Sequence, residues 1–402
     1  MPARILPTLA LCAFVLSMGS PVPLPAQTDG DLGVIEGRAR SEFNITVRST
    51  DPSLERLAQS AFALHGAYEV RSGGTTHFDF SFNPNGRDGV DLVVRSAGQV
   101  LLEQTFRSND RNRALLLAAD HAVQRTLDIP GFFAGTIAFI SERTGASEVY
   151  VSDLFFLNAR QLTRDRSQAI LPNLSPDGRR LLYTSYHRNG FPDIYAIDLE
   201  TNRRTTFASF RGTNTGANFS PDGREVAMVL SGSGNAEIFV SDAQGRNLRR
   251  LTHTPAVEAD PSWSPDGRRL AFVSDTPGRP QLFTMSASGG PATRIPTDIS
   301  RHCTEPAWNP RDADLIAFTA AIGREFEIAL FSFRDRASRQ ITRGAGDAIE
   351  PVWLNDGRHL IFTRRTATGS HLMILDTKTG QSQRLSPSEF RNTYQADFAY
   401  VR

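Results

Sequence analysis

Short apolar segments separated by polar turns recur along the chain from about residue 132 to the C-terminus. Residues 270–273 read Leu-Ala-Phe-Val and residues 315–318 read Leu-Ile-Ala-Phe, and each segment follows a stretch rich in proline and aspartate. Segments of this length, bounded by turn residues, are typical of short β-strands. The pattern therefore predicts that the last two thirds of the chain are built mainly from strands.

A turn motif repeats at a fixed interval within this region. The string Ser-Pro-Asp-Gly-Arg occurs at residues 175–179, 220–224 and 264–268. Altered copies follow at residues 309–312 and 354–358, so that successive copies are 44 or 45 residues apart. Proline presets φ, aspartate bonds the backbone ahead of it and glycine takes a positive φ. Each copy is therefore predicted to be a hairpin turn at the same place in a repeated unit.

Each repeat contains four short predicted strands. The strand before the turn ends in Trp263, Trp308 or Trp353 in three of the repeats, and we interpret these tryptophans as packing between neighbouring repeats. Four strands in about 45 residues indicate a blade of a β-propeller. The second strands of the blades fall at residues 137–139, 182–183, 227–228, 271–272, 317–318 and 361–362. The chain is thus predicted to be mainly β, with a six-bladed β-propeller over residues 132–402.

The first predicted blade has no inner strand ahead of Ile137. Residues 394–401, at the other end of the chain, fit the pattern of the inner strands that carry the tryptophans. We expect these residues to complete the first blade. A ring closed in this way leaves no long unpaired strand edge.

Residues 31–130 show no such repeat and are predicted to form a small α+β domain in front of the propeller. Asp51 and Pro52 are typical of a helix start, and Gly66 is typical of a helix end. The later elements are predicted as strands at residues 77–82, 90–95 and 100–106 and a helix over residues 110–127. No strand is predicted ahead of the first helix.

The first 26 residues have the layout of a secretory signal peptide, although two cleavage positions fit. Arg4 precedes an apolar run over residues 5–18, which is shorter than the roughly 18–20 residues that a spanning helix needs. We therefore expect an exported protein that is not inserted in a membrane. After cleavage only Cys303 remains, so no internal disulfide is expected. The 44 basic and 43 acidic residues give a net charge of +1, which argues against nucleic acid as a partner.

Taken together, these features resemble the TolB family, the periplasmic component of the Tol-Pal system. They are the six blades with Ser-Pro-Asp-Gly turns, the small front domain, the signal peptide and the junction at residues 114–139. The resemblance implies a monomeric, non-enzymatic periplasmic scaffold that contributes to envelope integrity, cell division or macromolecule import. It also implies that a Pal-like lipoprotein binds at the funnel of the propeller, and that a TolA-like inner-membrane protein binds the front domain.

Sequence motifs for catalysis are absent. The chain has no Gly-x-Ser-x-Gly elbow, no His-Glu-x-x-His and no paired cysteines with zinc spacing. His302 and Cys303 are neighbours, but adjacency in sequence does not give the opposed geometry that a thiolate and its base need. The alternative to a scaffold is an exported propeller enzyme, a hydrolase or lyase that acts in the channel.

Acidic residues recur near the start of the predicted inner strands. The column around the ring reads Ile170, Gly216, Asp260, Glu305, Glu350 and Asp397. Four consecutive blades thus carry an acid at the mouth of the channel, on the face opposite the Pro-Asp-Gly turns. The acids could form a rim for a protein partner or hold a cation, since clustered carboxylates suit calcium.

The resemblance favours the partner rim over the cation site, so no cofactor is required. The partner-binding residues that we predict are Asp260, Glu305, Glu350, Asp397, Thr213, Gly216, Thr304, His253 and His302.

Overall fold

The structure, a computed structural model, describes residues 41–401. The predicted signal peptide over residues 1–26 lies outside the described residues. Neither of the two α-helices in the described part is long and apolar enough to cross a membrane.

The front domain is a five-stranded sheet with two helices. Its elements are β1 (Phe43–Arg48), α1 (Pro52–Leu64), β2 (Tyr68–Val70), β3 (Phe78–Asn85), β4 (Gly89–Ser96), β5 (Gln99–Arg107) and α2 (Arg111–Leu127). The sheet order is β2-β1-β3-β4-β5, and β1 runs parallel to both of its neighbours. The expectation that no strand precedes the first helix is therefore wrong, because β1 occupies the interior of the sheet.

Local sequence explains where the two helices begin. The Asp51 carboxylate accepts a hydrogen bond from the N–H of Ser53 at 2.8 Å, and Asp110 accepts one from the N–H of Arg113 at 2.8 Å. An acidic N-cap satisfies a backbone donor that the first turn leaves open. The core between helices and sheet includes Phe62, whose ring centroid lies 4.8 Å from that of Phe80.

The rest of the described chain forms six four-stranded sheets, and the predicted fold class is confirmed. From inner to outer strand, blade one is β29 (Thr393–Ala399), β6 (Thr136–Ser141), β7 (Glu148–Asp153) and β8 (Arg160–Gln161), and blade two is β9 (Ala169–Leu174), β10 (Arg180–Ser185), β11 (Asp193–Asp198) and β12 (Arg204–Ala208). Blade three is β13 (Asn214–Phe219), β14 (Glu225–Leu230), β15 (Glu237–Asp242) and β16 (Arg249–Arg250), and blade four is β17 (Glu258–Trp263), β18 (Arg269–Ser274), β19 (Gln281–Ser286) and β20 (Thr293–Arg294). Blade five is β21 (Cys303–Trp308), β22 (Leu315–Ile322), β23 (Glu325–Ser332) and β24 (Ala337–Gln340), and blade six is β25 (Asp347–Trp353), β26 (His359–Thr366), β27 (Gly369–Asp376) and β28 (Ser382–Arg384). A short 3-10 helix over Ser388–Phe390 precedes β29.

Each Ser-Pro-Asp-Gly turn is held by its own side chains. In blade two the Ser175 hydroxyl donates to the Asp177 carboxylate at 2.5 Å, and it accepts from the N–H of Arg180 at 2.9 Å. Gly178 has φ of 66°, a conformation that suits glycine. The turn thus connects the first two strands of the blade by contacts that lie within six residues.

The tryptophans that end three inner strands are buried between blades. The Trp263 indole N–H donates to the Asn218 carbonyl of the preceding blade at 3.0 Å, and Trp353 donates to the Ala307 carbonyl at 3.0 Å. The guanidinium of Arg269 lies 4.6 Å from the ring centroid of Trp308. The tryptophans therefore belong to the packing of the ring and not to a ligand site.

The front domain packs against the propeller face that carries the Pro-Asp-Gly turns, next to blades six and one. The Asn355 side chain donates to the Gly131 carbonyl at 2.9 Å. The Asp120 carboxylate of α2 accepts from the N–H groups of Phe133 and Ala134 and from the Tyr400 hydroxyl, at 2.6, 2.9 and 2.7 Å. These contacts leave the opposite face of the propeller uncovered by the front domain.

Candidate functional site

The candidate site is the face of the propeller opposite the turns, which we call the mouth face. The inner strand of every blade starts on this face. Because neighbouring strands of a blade are antiparallel, the second strand ends here and the third strand starts here. The mouth face is formed by the loops between second and third strands and by the connections from each blade to the next. These segments are residues 142–147, 162–168, 186–192, 209–213, 231–236, 251–257, 275–280, 295–302, 323–324, 341–346, 367–368 and 385–392.

Every inner strand contains one residue with positive φ at the same place, close to the mouth. These residues are Leu171, Gly216, Asp260, Glu305, Glu350 and Gln395, with φ between 50° and 62°. The pairing register of each inner strand with its neighbour shifts at this place, as a β-bulge does. The bulge leaves backbone N–H groups outside the ladder of its own blade.

Two members of the predicted acidic column are corrected by this register. Leu171 stands where Ile170 was predicted, and Gln395 stands where Asp397 was predicted. Asp397 lies two residues further along the strand, and its carboxylate accepts from the N–H of Leu174 at 2.6 Å. In the same register position of the next blade, Asn173 accepts from the N–H of Phe219 at 2.9 Å. Asp397 therefore joins neighbouring blades instead of extending the acidic rim.

Side chains of the true column connect consecutive blades. Glu305 accepts from the N–H of Glu350 at 2.8 Å, and Glu350 accepts from the N–H of Gln395 at 3.1 Å. Gln395 in turn accepts from the N–H of Leu171 at 3.0 Å. Asp260 likewise accepts from the backbone of Glu305. We call these four residues the bulge ring, because each side chain satisfies the donor that the bulge of the next blade exposes.

The carboxyl groups of the bulge ring are partly buried and close to one another. Desolvation, followed by the charge of Glu305, raises the pKa of Asp260 to about 7. The same two causes raise the pKa of Glu350 to about 7, and burial raises the pKa of Glu305. Burial also raises the pKa of Asp397 to about 7. These groups therefore retain protons in the folded state at pH values where the unfolded chain has lost them.

This difference predicts how stability depends on pH. Between about pH 4 and pH 7 the folded state binds more protons than the unfolded state, so the free energy of unfolding falls as pH rises. The double variant Asp260→Asn/Glu350→Gln should lose part of this decline, which urea denaturation at pH 5 and pH 8 would measure. Glu200→Gln, at an exposed turn on the other face, is the matched control and should keep the wild-type decline. An identical decline in the double variant would contradict the prediction.

The other predicted rim residues all lie on or next to the mouth face, but only some present side chains. His253 is exposed, and Thr304 and His302 are partly buried. The Thr213 N–H donates to the Ser231 hydroxyl at 2.7 Å, which fixes the loop ahead of blade three. Gly216 is buried and its role is conformational, because its φ is 62°.

Exposed arginines on the mouth face were not predicted. They are Arg143, Arg164, Arg166, Arg188, Arg211, Arg279, Arg301, Arg324, Arg343 and Arg391. None of them forms an ion pair with another residue of the described chain. On the same described loops the exposed carboxylates are Asp275, Asp298 and Glu389. The mouth face is therefore cationic although the net charge of the chain is only +1.

Two exposed aromatic side chains lie beside these arginines. Phe191 is 61% exposed and Phe210 is 49% exposed. Their loops belong to blades two and three and are tied together by Asn214, whose side chain donates to the carbonyls of Pro192 and Phe210 at 3.3 and 2.8 Å. Exposed aromatic groups in one place mark an interaction surface more often than scattered ones do.

The described residues contain no activated cysteine thiol that could serve as the nucleophile of a channel enzyme. Cys303 is buried, and burial raises the pKa of its thiol. Its contacts are the Thr297 hydroxyl at 3.5 Å and the Ser300 carbonyl at 3.6 Å, so His302 is not its base. A buried thiol with a raised pKa is a poor nucleophile.

The carboxylates of the bulge ring do not form a compact set of metal ligands. Within residues 41–401, one group brings three such ligand atoms within 4.8 Å of one another, and it consists of His65, His359 and Asp376. This group lies where the front domain meets blade six, away from the mouth. The calcium alternative for the mouth acids therefore rests on their composition alone.

The fold and the mouth face define a six-bladed β-propeller with a small α/β domain on the opposite face. Residues 123–396 match the family model described as the TolB beta propeller domain. The match covers more than half of the chain, and the protein belongs to this family.

Relatives agree with this assignment. The chain is 35% identical over 215 residues to the Tol-Pal system protein TolB of Anaeromyxobacter dehalogenans, which is 53% of this chain and 49% of that protein. It is 33% identical over 145 residues to the protein of the same name from Desulfosudis oleivorans, which is 36% of this chain and 33% of that protein. The chain thus spans half or less of the length of these relatives. The crystal structure of TolB from Acinetobacter baumannii has the same fold, with a TM-score of 0.81, 21% identity, and coverage of 91% of this chain and 98% of that one.

Proposed function

We propose that this protein is a non-enzymatic scaffold of a Tol-Pal system in the periplasm, and that it binds a Pal-like lipoprotein on the mouth face. Membership of the TolB propeller family supports the assignment to a Tol-Pal system. The observation that carries the binding surface is the exposed pair Phe191 and Phe210 among unpaired arginines on the uncovered face. The roles in envelope integrity, cell division or macromolecule import follow from the same assignment.

The chemistry of the mouth face defines the partner surface that fits it. Aromatic side chains supply apolar area that a partner can desolvate, and such residues carry much of the binding energy at interfaces. Arginines bind carboxylates through two parallel N–H donors and speed association with an acidic partner. A partner with an apolar centre and an acidic margin therefore fits this face.

The carboxyl groups of the bulge ring have a different role in this proposal. Asp260, Glu305 and Glu350 lie at the channel opening and already accept hydrogen bonds from neighbouring blades. They position the inner strands on which the rim loops stand. A TolA-like partner on the front domain would occupy the opposite face and leave the mouth face accessible.

The test is binding of the purified protein to the soluble domain of the Pal-like lipoprotein from the same genome, measured by isothermal titration calorimetry. The double variant Phe191→Ala/Phe210→Ala should weaken binding at least tenfold, because truncated interface anchors cost about 2 kcal/mol or more. Leu157→Ala is the matched control, since Leu157 is 49% exposed and lies in a loop on the opposite face.

Two results would count against the proposal. Absence of binding at micromolar concentrations would reject the lipoprotein as partner. Binding that Phe191→Ala/Phe210→Ala and Leu157→Ala leave equally strong would reject the mouth face as its site.

A further inference from the structure

A buried polar cluster lies where the front domain meets blade six. His65 directly follows α1, His359 is the first residue of β26, and Asp376 is the last residue of β27. The two histidines are 0% exposed and Asp376 is 1% exposed. One nitrogen of each histidine and one oxygen of Asp376 all lie within 4.8 Å of one another. The cluster takes one side chain from the front domain and two from the propeller.

The two imidazole rings lie next to each other. Their centroids are 4.5 Å apart, and neither Nε2 atom has a hydrogen-bond partner among the described residues. The His359 Nε2 lies 3.5 Å from an Asp376 oxygen, which is long for an N–H···O hydrogen bond. That separation is close to the edge of roughly 3.4 Å that a tetrahedral site has when metal–ligand distances are about 2.1 Å.

We propose that His65, His359 and Asp376 bind Zn²⁺, or a divalent ion of similar chemistry, and that this ion joins the front domain to the propeller. Two imidazoles and a carboxylate form a donor set that suits zinc, whereas calcium and magnesium prefer oxygen ligands alone. A structural metal site between two domains contributes its binding free energy to the stability of their contact.

The surrounding side chains orient two of the ligands. The His359 Nδ1–H group donates to the Asp356 carboxylate at 2.5 Å, which leaves the lone pair on Nε2. A carboxylate behind a histidine ligand is the usual arrangement at zinc sites. Asp376 accepts from the Arg358 Nε–H group at 3.0 Å and from the N–H of Lys378 at 2.9 Å, so its carboxylate is fixed in place.

One existing contact must be given up. The Ala67 N–H donates to Nδ1 of His65 at 3.3 Å. Ligation through Nε2 places the ring proton on Nδ1, so this long hydrogen bond is lost when the ion binds. A metal–nitrogen bond replaces it and also satisfies the unpaired Nε2.

The local charges match a divalent cation. Asp356, Asp376 and Glu42 are carboxylates, and among residues 41–401 Arg358 is the one guanidinium that forms ion pairs with them, at 2.8 Å from Asp376 and 3.1 Å from Glu42. With neutral histidines these groups carry a net charge of −2. An ion of charge +2 therefore neutralises the cluster.

The test uses the purified full chain, stripped of metal with EDTA, and ZnCl₂ as the probe. We expect one equivalent of Zn²⁺ to bind per chain and to raise the melting temperature, and Co²⁺ to give the visible absorption of a tetrahedral site. His65→Phe keeps a ring that can stack on Phe132, and should weaken Zn²⁺ binding about a hundredfold or more. His359→Gln should do the same, and His253→Gln, at an exposed position on the mouth face, is the matched control.

The proposal is overturned if no stoichiometric Zn²⁺ binds, or if His65→Phe binds Zn²⁺ as tightly as His253→Gln does. It is also overturned if Zn²⁺ and EDTA leave the melting temperature of the wild type unchanged.

Discussion

Deletion of residues 394–402 is expected to abolish cooperative folding. These residues supply all but the first residue of β29, the inner strand of blade one, which pairs with β6 along its length. Without them β6 exposes its backbone donors and acceptors, and an unpaired edge promotes aggregation. The measurements are the yield of soluble protein and the thermal transition followed by circular dichroism.

The expectation also rests on side-chain contacts that β29 makes with blades two and one. Asp397 accepts from the N–H of Leu174 in blade two, and the Tyr394 hydroxyl lies 2.7 Å from the Ser147 hydroxyl in blade one. A synthetic peptide of residues 393–402, added in trans, is the control and should restore part of the folded signal. A truncated protein with the melting temperature of the full chain would show that ring closure is dispensable.

Asp120→Ala is expected to destabilise the protein by about 3–5 kcal/mol, because two buried donors and one partly buried donor lose their acceptor and each such loss costs about 1–3 kcal/mol. The donors are the N–H groups of Phe133 and Ala134 and the hydroxyl of Tyr400. They connect helix α2, the start of the propeller and the end of β29. Urea denaturation would measure the change.

Tyr400→Phe is the matched control for Asp120→Ala. It removes one of the three hydrogen bonds and keeps the ring, so a loss of about 1 kcal/mol is expected. If both variants lost the same amount, the backbone donors of Phe133 and Ala134 would contribute nothing. The junction would then depend on the tyrosine alone.

The blades could be predicted because the residues that form each turn lie within a single repeat. Ser175, Asp177 and Gly178 form a turn through contacts within six residues, and the same letters recur at fixed spacing. Local hydrogen bonds of this kind do not depend on the rest of the fold. The number of blades follows from counting the repeats.

Contacts between distant parts of the chain were harder to predict. Strand β1 is only six residues long, and its parallel pairing with β2 and β3 joins segments that are separated along the chain by helix α1. The predicted column contains Asp397 instead of Gln395 because no particular residue type marks the bulge in β29. Aligning Phe398 with Trp263 would have placed Gln395 opposite Asp260.

The role assigned to the acidic residues at the mouth changes once their hydrogen-bond partners are known. From sequence, Asp260 and Glu305 are expected to lie at the mouth of the channel, as part of a rim for a protein partner. In the structure each accepts a backbone hydrogen bond from the next blade, so alanine at either position also removes a contact of the ring. Asparagine or glutamine substitutions are therefore the better probes of their charge.

Net charge alone could not reveal the cationic mouth face. The +1 total sums over both faces of the propeller and over the front domain. The topology places Arg188, Arg211 and Arg279 on one side because loops of the same type all emerge there. Charge segregation of this kind becomes predictable once the blade order has been assigned.

Blade one is built from two distant segments of the chain, and this also determines the order in which the protein can fold. Its second strand begins at Thr136 and its inner strand begins at Thr393, so more than 250 residues are synthesised between them. Until residues 393–399 have been synthesised, β6 has no partner on its channel side, whatever the state of the other five blades. Chains that terminate early would keep this edge open, and proteases and chaperones act on such unpaired edges. Closure of the whole ring therefore depends on residues 393–399.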